Sequence, residues 1–186
     1  LAYGYSYEDY IYYPERINEL HQQGKLLSLV AVSPQGKVLG HVAMKLLPDN
    51  PDCAELGVFF VNPAYRKHGL GSKLALEIVE MAKKMNLDSV FVRSVTGHRV
   101  SQTLADRDGL KACAIYLSLF PRNVDLKSIG GIQSGKMSCL VQWRKIRQPR
   151  TRHIYPPSRH QNIITELYHR SEIPFQLEEE KPVQIH

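Results

Sequence analysis

Three places along the chain carry residue types that could do chemistry together. The segment Arg66-Lys67-His68-Gly69-Leu70-Gly71 packs basic side chains and two glycines into one short stretch. Glycine lets a backbone curl round an anion with no Cβ in the way. A helix start adds unpaired N–H groups and the positive end of the helix dipole. Set between a strand and a helix, this segment, with Ser72 after it, makes a cradle for a pyrophosphate. Glu55 lies upstream in an apolar run. A carboxylate at a cleft can take a proton from an attacking nucleophile, directly or through water. The same glutamate can also be a solvated residue at a strand end. His98 follows Thr96-Gly97. An imidazole there could shuttle a proton near neutral pH, cap the following helix or touch a bound ligand.

Other motifs fit less well. A dinucleotide fold wants G-x-G-x-x-G, whereas the first turn has only Gly69 and Gly71 at that spacing. Gly130-Gly131-Ile132-Gln133-Ser134-Gly135-Lys136 nearly matches a phosphate-binding P-loop. It fails at Met137, where Ser or Thr should hold magnesium, and it precedes a strand-like run. His153, His160 and His169 lack ligand spacing, so no metal site is expected. The arginines after Trp143 lack interleaved aromatics, so nucleic acid is not the expected partner.

The elements that position these residues follow from periodicity. Pro14 to Gln23 reads as a helix with Pro at its first position and Gly24 beyond its end. Leu26–Val32 and Val38–Leu47 are apolar runs joined by Ser33-Pro34-Gln35-Gly36, which predicts a hairpin. After a loop at 48–52, Ala54–Val61 is a third strand, closed by Asn62-Pro63. Leu74, Ile78, Ala82 and Met85 recur at helical spacing. Ser89–Val95 is a buried type of strand, residues 98–107 a helix, and Leu110–Phe120 and Met137–Trp143 two late antiparallel strands. The central strand–helix–strand unit puts its two strands parallel. The prediction is an α/β fold with a mixed, mostly antiparallel sheet flanked by helices.

Composition bounds the rest. The 43% apolar content suits a globular core, and no run approaches the ~18 apolar residues of a membrane span. Leu1 to Tyr13 is tyrosine-rich, without the basic start and apolar stretch of a signal peptide. Its tyrosines 3, 5, 7, 10, 12 and 13 could line a cleft or pack on the sheet. Three widely spaced cysteines suit neither a disulfide framework nor a zinc site, which places the protein in a reducing cytoplasm. The net charge of +6 suits an anionic partner. Residues 1–143 form the expected domain. Residues 144–186 read as a basic linker and C-terminal helical extension, with a helix from Ser158 to Arg170 capped by Ser158.

The stretch Ala54-Glu55-Leu56-Gly57-Val58-Phe59-Phe60-Val61-Asn62-Pro63-Ala64-Tyr65-Arg66-Lys67-His68-Gly69-Leu70-Gly71-Ser72-Lys73-Leu74 resembles motif A of the GNAT N-acetyltransferase superfamily. The order of elements from 26 to 143 agrees with that fold. The resemblance implies a central pair of parallel strands that splay apart, with acetyl-CoA as co-substrate and an amine as acceptor. It implies that Phe60 and Val61 pair through their backbones with the pantetheine arm. It also implies that residues 66–72 hold the pyrophosphate and that Glu55 matches a general base. The family's next motif falls on His98, Ser101, Leu104 and Ala105, with Ala105 where many members carry the tyrosine that protonates the leaving thiolate. Alanine cannot do that, and His98 is the candidate substitute. Ser101 and Gln102 are candidate cofactor contacts, and Tyr116 could reach the cleft. GNAT domains usually open with a further strand and helix, for which the first 13 residues leave little room. Tyr3-Gly4-Tyr5-Ser6-Tyr7 and Val95-Thr96-Gly97-His98 are also similar to GNAT modules within larger bacterial regulatory proteins. That similarity implies a possible fused or partner regulatory domain. It opens a second reading, a non-catalytic acyl-CoA-binding module.

Overall fold

The computed structural model describes residues 9–122, 125–126, 131–132 and 134–178. A 3-10 turn at Asp9–Tyr12 leads into α1 (Pro14–Gln22). Then come β1 (Leu26–Val32), β2 (Val38–Leu47), β3 (Asn50–Val61), α2 (Leu70–Lys84), β4 (Ser89–Val95), α3 (Val100–Arg107) and β5 (Lys111–Phe120). The short pair β6 (Asp125–Leu126) and β7 (Gly131–Ile132) precedes β8 (Met137–Lys145). Beyond it lie β9 (Arg152–Ile154), α4 (Gln161–Arg170) and β10 (Phe175–Leu177). Two strands run past their expected boundaries. β3 starts at Asn50 because the turn after β2 is tight enough for Leu47 to pair with Asn50. β8 runs on to Lys145, which pairs with Ser89.

The six-stranded sheet has the order β1-β2-β3-β4-β8-β5. Every pairing is antiparallel except β3 with β4. The α2 crossover explains the exception, since parallel neighbours need a long connection that packs back on the sheet. Its apolar stripe supplies Leu74, Ile78, Val79 and Ala82 to the main core, against Val42 and Met44 of β2, Ala54 and Leu56 of β3, and Val90 of β4. Side chains alternate across a strand. Glu55 of β3 and Arg93 of β4 therefore point to the face opposite α2, where α1 lies with His21 hydrogen-bonded to Ser28 at 3.1 Å. α3 sits on the same face as α2. It is held there by fully buried Gln142 of β8, whose amide donates to the Gln102 carbonyl at 3.1 Å and to Asp106 Oδ1 at 2.7 Å.

Residues 146–178 fold back on the sheet. β9 and β10 pair in parallel, with α4 between them. Ser158 opens a 3-10 turn and α4 begins only at Gln161, with no side-chain cap on either start. Arg147 is ion-paired with buried Asp88, whose carbonyl also receives the Ile146 N–H at 2.8 Å. Glu172 accepts from Lys111 Nζ at 2.8 Å and Lys145 Nζ at 3.0 Å. These two ammonium groups, Lys111 first, hold its carboxyl down at about 2. A depressed carboxylate stabilises the fold above its ordinary pKa of 4.5, and that contribution goes as pH falls towards about 2. The expected result is a Tm gap between wild type and Glu172→Gln at pH 6 that closes between pH 4.5 and about 2. Added salt narrows the gap at pH 6, because the group is exposed. A gap that ignores pH would mean the lysine contacts do not hold the tail.

Candidate active site

The parallel pairing of β3 and β4 is brief. It covers Cys53–Ser89, Ala54–Val90 and Glu55–Phe91, after which β4 continues only against β8 and β3 only against β2. The sheet thus opens into a fork at Glu55. Beyond that point the β3 edge facing β4 has no ladder partner, an opening of the kind an extended ligand can use, although the Val58 and Val61 carbonyls on this stretch already accept from His41 Nδ1 and Arg66 Nε. β3 also carries an irregularity there, because its register with β2 shifts between His41–Phe60 and Ala43–Gly57. Within the shift Val58 sits at φ 46°, the left-handed region that a β-branched residue rarely enters.

The fork opens into a cleft of about 1030 Å³. Its wall includes Phe60 and Val61 of β3 and the run Arg66, Lys67, Gly69, Leu70, Gly71 and Ser72. Lys67 and Gly69 take φ of 65° and 75°. Left-handed residues in such a turn are the feature of backbone nests, in which successive N–H groups line an anion-binding concavity. Gly69 is the N-cap of α2 and offers no side-chain acceptor, and the first turn holds no acid. The leading amides of α2 are thus left for an outside anion. At Gly71 a Cβ would lie 3.7 Å from Phe59 and Val61, an ordinary contact, so protein packing does not demand glycine there. Arg66 is fixed by donating from Nε to the Val61 carbonyl at 3.1 Å. His68 is exposed and stands outside the cleft wall.

Glu55 and His98 line the same cleft. Glu55 is gripped by Arg93, whose Nε reaches Oε1 at 2.6 Å and Nη2 reaches Oε2 at 2.8 Å. The pair joins the last backbone-paired residue of β3 to Arg93, two residues past the last pairing on β4, and fixes both carboxylate oxygens. His98 takes the Val100 N–H on Nδ1 at 3.2 Å. The neutral ring therefore carries its proton on Nε2, and burial pushes its pKa below the usual range. Gln102 anchors this corner by donating to the carbonyls of Val95 at 2.9 Å and His98 at 3.1 Å. Ser101 and Ala105 line the cleft one helical turn apart, and the buried Ser101 hydroxyl has no hydrogen-bond partner. Tyr116 is 54% exposed and is not part of the cleft wall. Of the tyrosine cluster, Tyr10 lines the cleft, Tyr12 and Tyr13 are exposed, and Tyr3, Tyr5 and Tyr7 lie outside the described residues. The P-loop-like stretch 130–136 falls partly outside them too. Among the described residues no helix is long and apolar enough to cross a membrane, and no cluster of His, Cys, Asp and Glu could hold a metal.

A sequence profile described as the acetyltransferase (GNAT) family matches residues 2–107, more than half of the chain. The chain belongs to the GNAT acetyltransferase family. Solved structures agree on the fold. The ribosomal-protein-S18-alanine N-acetyltransferase from Escherichia coli superposes with a TM-score of 0.58 at 16% identity, over 74% of this chain and 80% of that one. Ribosomal-protein-alanine N-acetyltransferase from Brucella melitensis gives 0.59 at 18% identity, over 75% and 80%. A spermidine N-acetyltransferase SpeG chimera from Vibrio cholerae and hSSAT gives 0.60 at 13% identity, over 75% and 78%. No curated protein matches significantly. As a GNAT acetyltransferase the chain is an enzyme of acyl transfer, built on the mixed sheet with one parallel strand pair that its sequence predicts.

Some features of this GNAT site have weak sequence signals. Arg93 could have been noticed as a lone charge in the apolar run Ser89-Val90-Phe91-Val92-Arg93-Ser94-Val95. The distortion at Val58 and its neighbour His41 leave no sequence signal, because a bulge is set by pairing between distant segments.

Proposed function

We propose that this GNAT domain transfers an acetyl group from acetyl-CoA to an amine by direct attack on the thioester. The observation that carries the reading is that the anion cradle, the open strand edge and Glu55 share one cleft. In this reading the amides and basic side chains of Arg66–Ser72 hold the pyrophosphate, and the backbone of Phe60 and Val61 takes the pantetheine arm. Bound there, acetyl-CoA supplies an acyl carbon already activated towards nucleophiles.

Glu55 takes a proton from the incoming amine, directly or through one water, so the nitrogen lone pair is free to form the new C–N bond. The C–S bond breaks and the thiolate leaves with the electron pair. With Ala105 lacking a hydroxyl, the Nε2–H of His98 has in this reading the task of steadying that charge, while the unpartnered Ser101 hydroxyl is a second donor in the same cleft wall. His98 acts here as a neutral hydrogen-bond donor, because protonating Nδ1 would break its bond with Val100. The nitrogen sheds its second proton to solvent as the amide forms, the thiolate takes one proton from solvent, and the proton on Glu55 returns to solvent. The three free cysteines suit a cytoplasmic setting.

The cradle is tested by the double variant Arg66→Ala/Gly69→Val. It should weaken acetyl-CoA binding roughly 10- to 100-fold, read from the ligand-induced thermal shift, since it removes charge-assisted contacts. An unchanged shift would place the pyrophosphate elsewhere. Turnover is read as free thiol released from acetyl-CoA with a panel of amines. Tight binding with no thiol release from any of them would favour a non-catalytic binding module.

A further inference from the structure

We propose that His41 is a positioning residue for the acyl-CoA site: by capping the carbonyl of Val58 it holds the β3 distortion that presents Phe60 and Val61 to the fork. The ligand in this statement rests on the acetyl-CoA reading above, while the geometry stands without it.

Between the His41–Phe60 and Ala43–Gly57 pairs, both Val58 and Phe59 stand opposite the single residue Val42. This is a β-bulge, which leaves backbone groups of the extra residue without ladder partners. The bulge places Val58 at φ 46°. A valine persists in that region only where its surroundings over-determine it. His41 supplies the determination. Its Nδ1 lies 2.8 Å from the Val58 oxygen, and because a carbonyl only accepts, Nδ1 carries the proton. Its ring stacks on Phe60, with centroids 5.3 Å apart and planes 19° from parallel. One side chain thus fixes the carbonyl of the strained residue and the ring two residues on. Burial pushes the imidazole below its ordinary pKa, partly offset by the Val58 bond. Charged or neutral, the ring can keep Nδ1–H on this carbonyl. His41 is not itself part of the cleft wall. Any effect it has on ligand therefore passes through Val58 and Phe60.

The test is a cycle of His41→Phe and Val58→Gly. Phenylalanine keeps a stacking ring and removes the donor, while glycine relieves the left-handed backbone. His41→Phe alone should weaken acetyl-CoA binding about tenfold by calorimetry, the scale of one buried hydrogen bond. KM for acetyl-CoA should rise with it while kcat stays within about twofold. His41→Asn, which can offer an amide N–H near the Nδ1 position, should recover most of the loss. In the Val58→Gly background, His41→Phe should cost less than about threefold, because the bulge no longer needs its cap. Wild-type affinity in His41→Phe, or the same loss whether or not Val58→Gly accompanies it, overturns the proposal. If His41→Phe does not fold, the double variant should, and its failure to fold overturns the proposal as well. Absence of acetyl-CoA binding by wild type sinks the ligand reading alone. The same cycle in the Tm of unliganded protein then decides, with coupled losses supporting the role of His41 and additive losses overturning it.

Discussion

Glu55→Gln is expected to lower kcat for acetyl transfer by ~100-fold or more, the scale of a lost general base. The dissociation constant for acetyl-CoA should stay within about threefold of wild type, because the substitution leaves the cradle and strand edge alone. Glutamine keeps the shape of the side chain and one oxygen for the Arg93 guanidinium, which contacts both carboxylate oxygens at 2.6 and 2.8 Å. It cannot take the proton of an incoming amine. The arginine makes a second outcome informative. If Glu55 served only to neutralise Arg93 at the floor of the fork, the glutamine variant would lose stability and retain kcat. Thiol release under saturating acetyl-CoA and amine, set beside the Tm of the same preparation, separates the two. Unchanged kcat would remove Glu55 from the chemistry.

Ile78→Ala should cost about 3 kcal/mol of folding free energy, in the usual range for a buried aliphatic truncated to alanine. Ile78 has no exposed surface and sits among Val42, Met44, Ala54, Leu56 and Val90, so the cavity would open under the centre of the sheet. Its neighbours belong to three strands that are pinned by backbone pairing and cannot collapse into the space. For a chain of this size the change corresponds to a Tm drop of roughly 6–12 °C. Denaturant titration should move the midpoint with the slope unchanged. A loss below about 1 kcal/mol would mean that α2 re-seats itself, contrary to the packing described.

Local rules explain why so much was legible in the chain itself. α2 announces itself through Leu74, Ile78 and Ala82 at helical spacing, and all three are buried where that spacing puts them, whereas Met85, the fourth of the series, caps the helix end and is exposed. The hairpin of β1 and β2 follows from two apolar runs around Pro34 and Gly36. The parallel partnership of β3 and β4 follows from the helix between them. What the chain does not display is anything made by two distant segments. The Glu55–Arg93 pair joins residues on separate strands, and the cap on Val58 comes from another strand again. The fold of the tail was hidden for a related reason. Its arginines read as a basic linker, yet Arg147 is engaged by Asp88, a buried acid on the turn before β4. Periodicity reports which face of an element is apolar. It does not report which charged groups meet once the elements are assembled.

The fork has a mechanical consequence. A sheet is stiff because every strand is stitched to both neighbours, and here the stitching between two three-stranded plates stops after three residue pairs. The plates β1-β2-β3 and β4-β8-β5 are hinged along a short seam and braced on one side by α2. On the acetyl-CoA reading proposed above, a slender ligand lying along the open edges would act as the missing lacing, fastening one plate to the other. Part of the rigidity of the loaded enzyme would then be lent by its own co-substrate, and withdrawn when the product leaves.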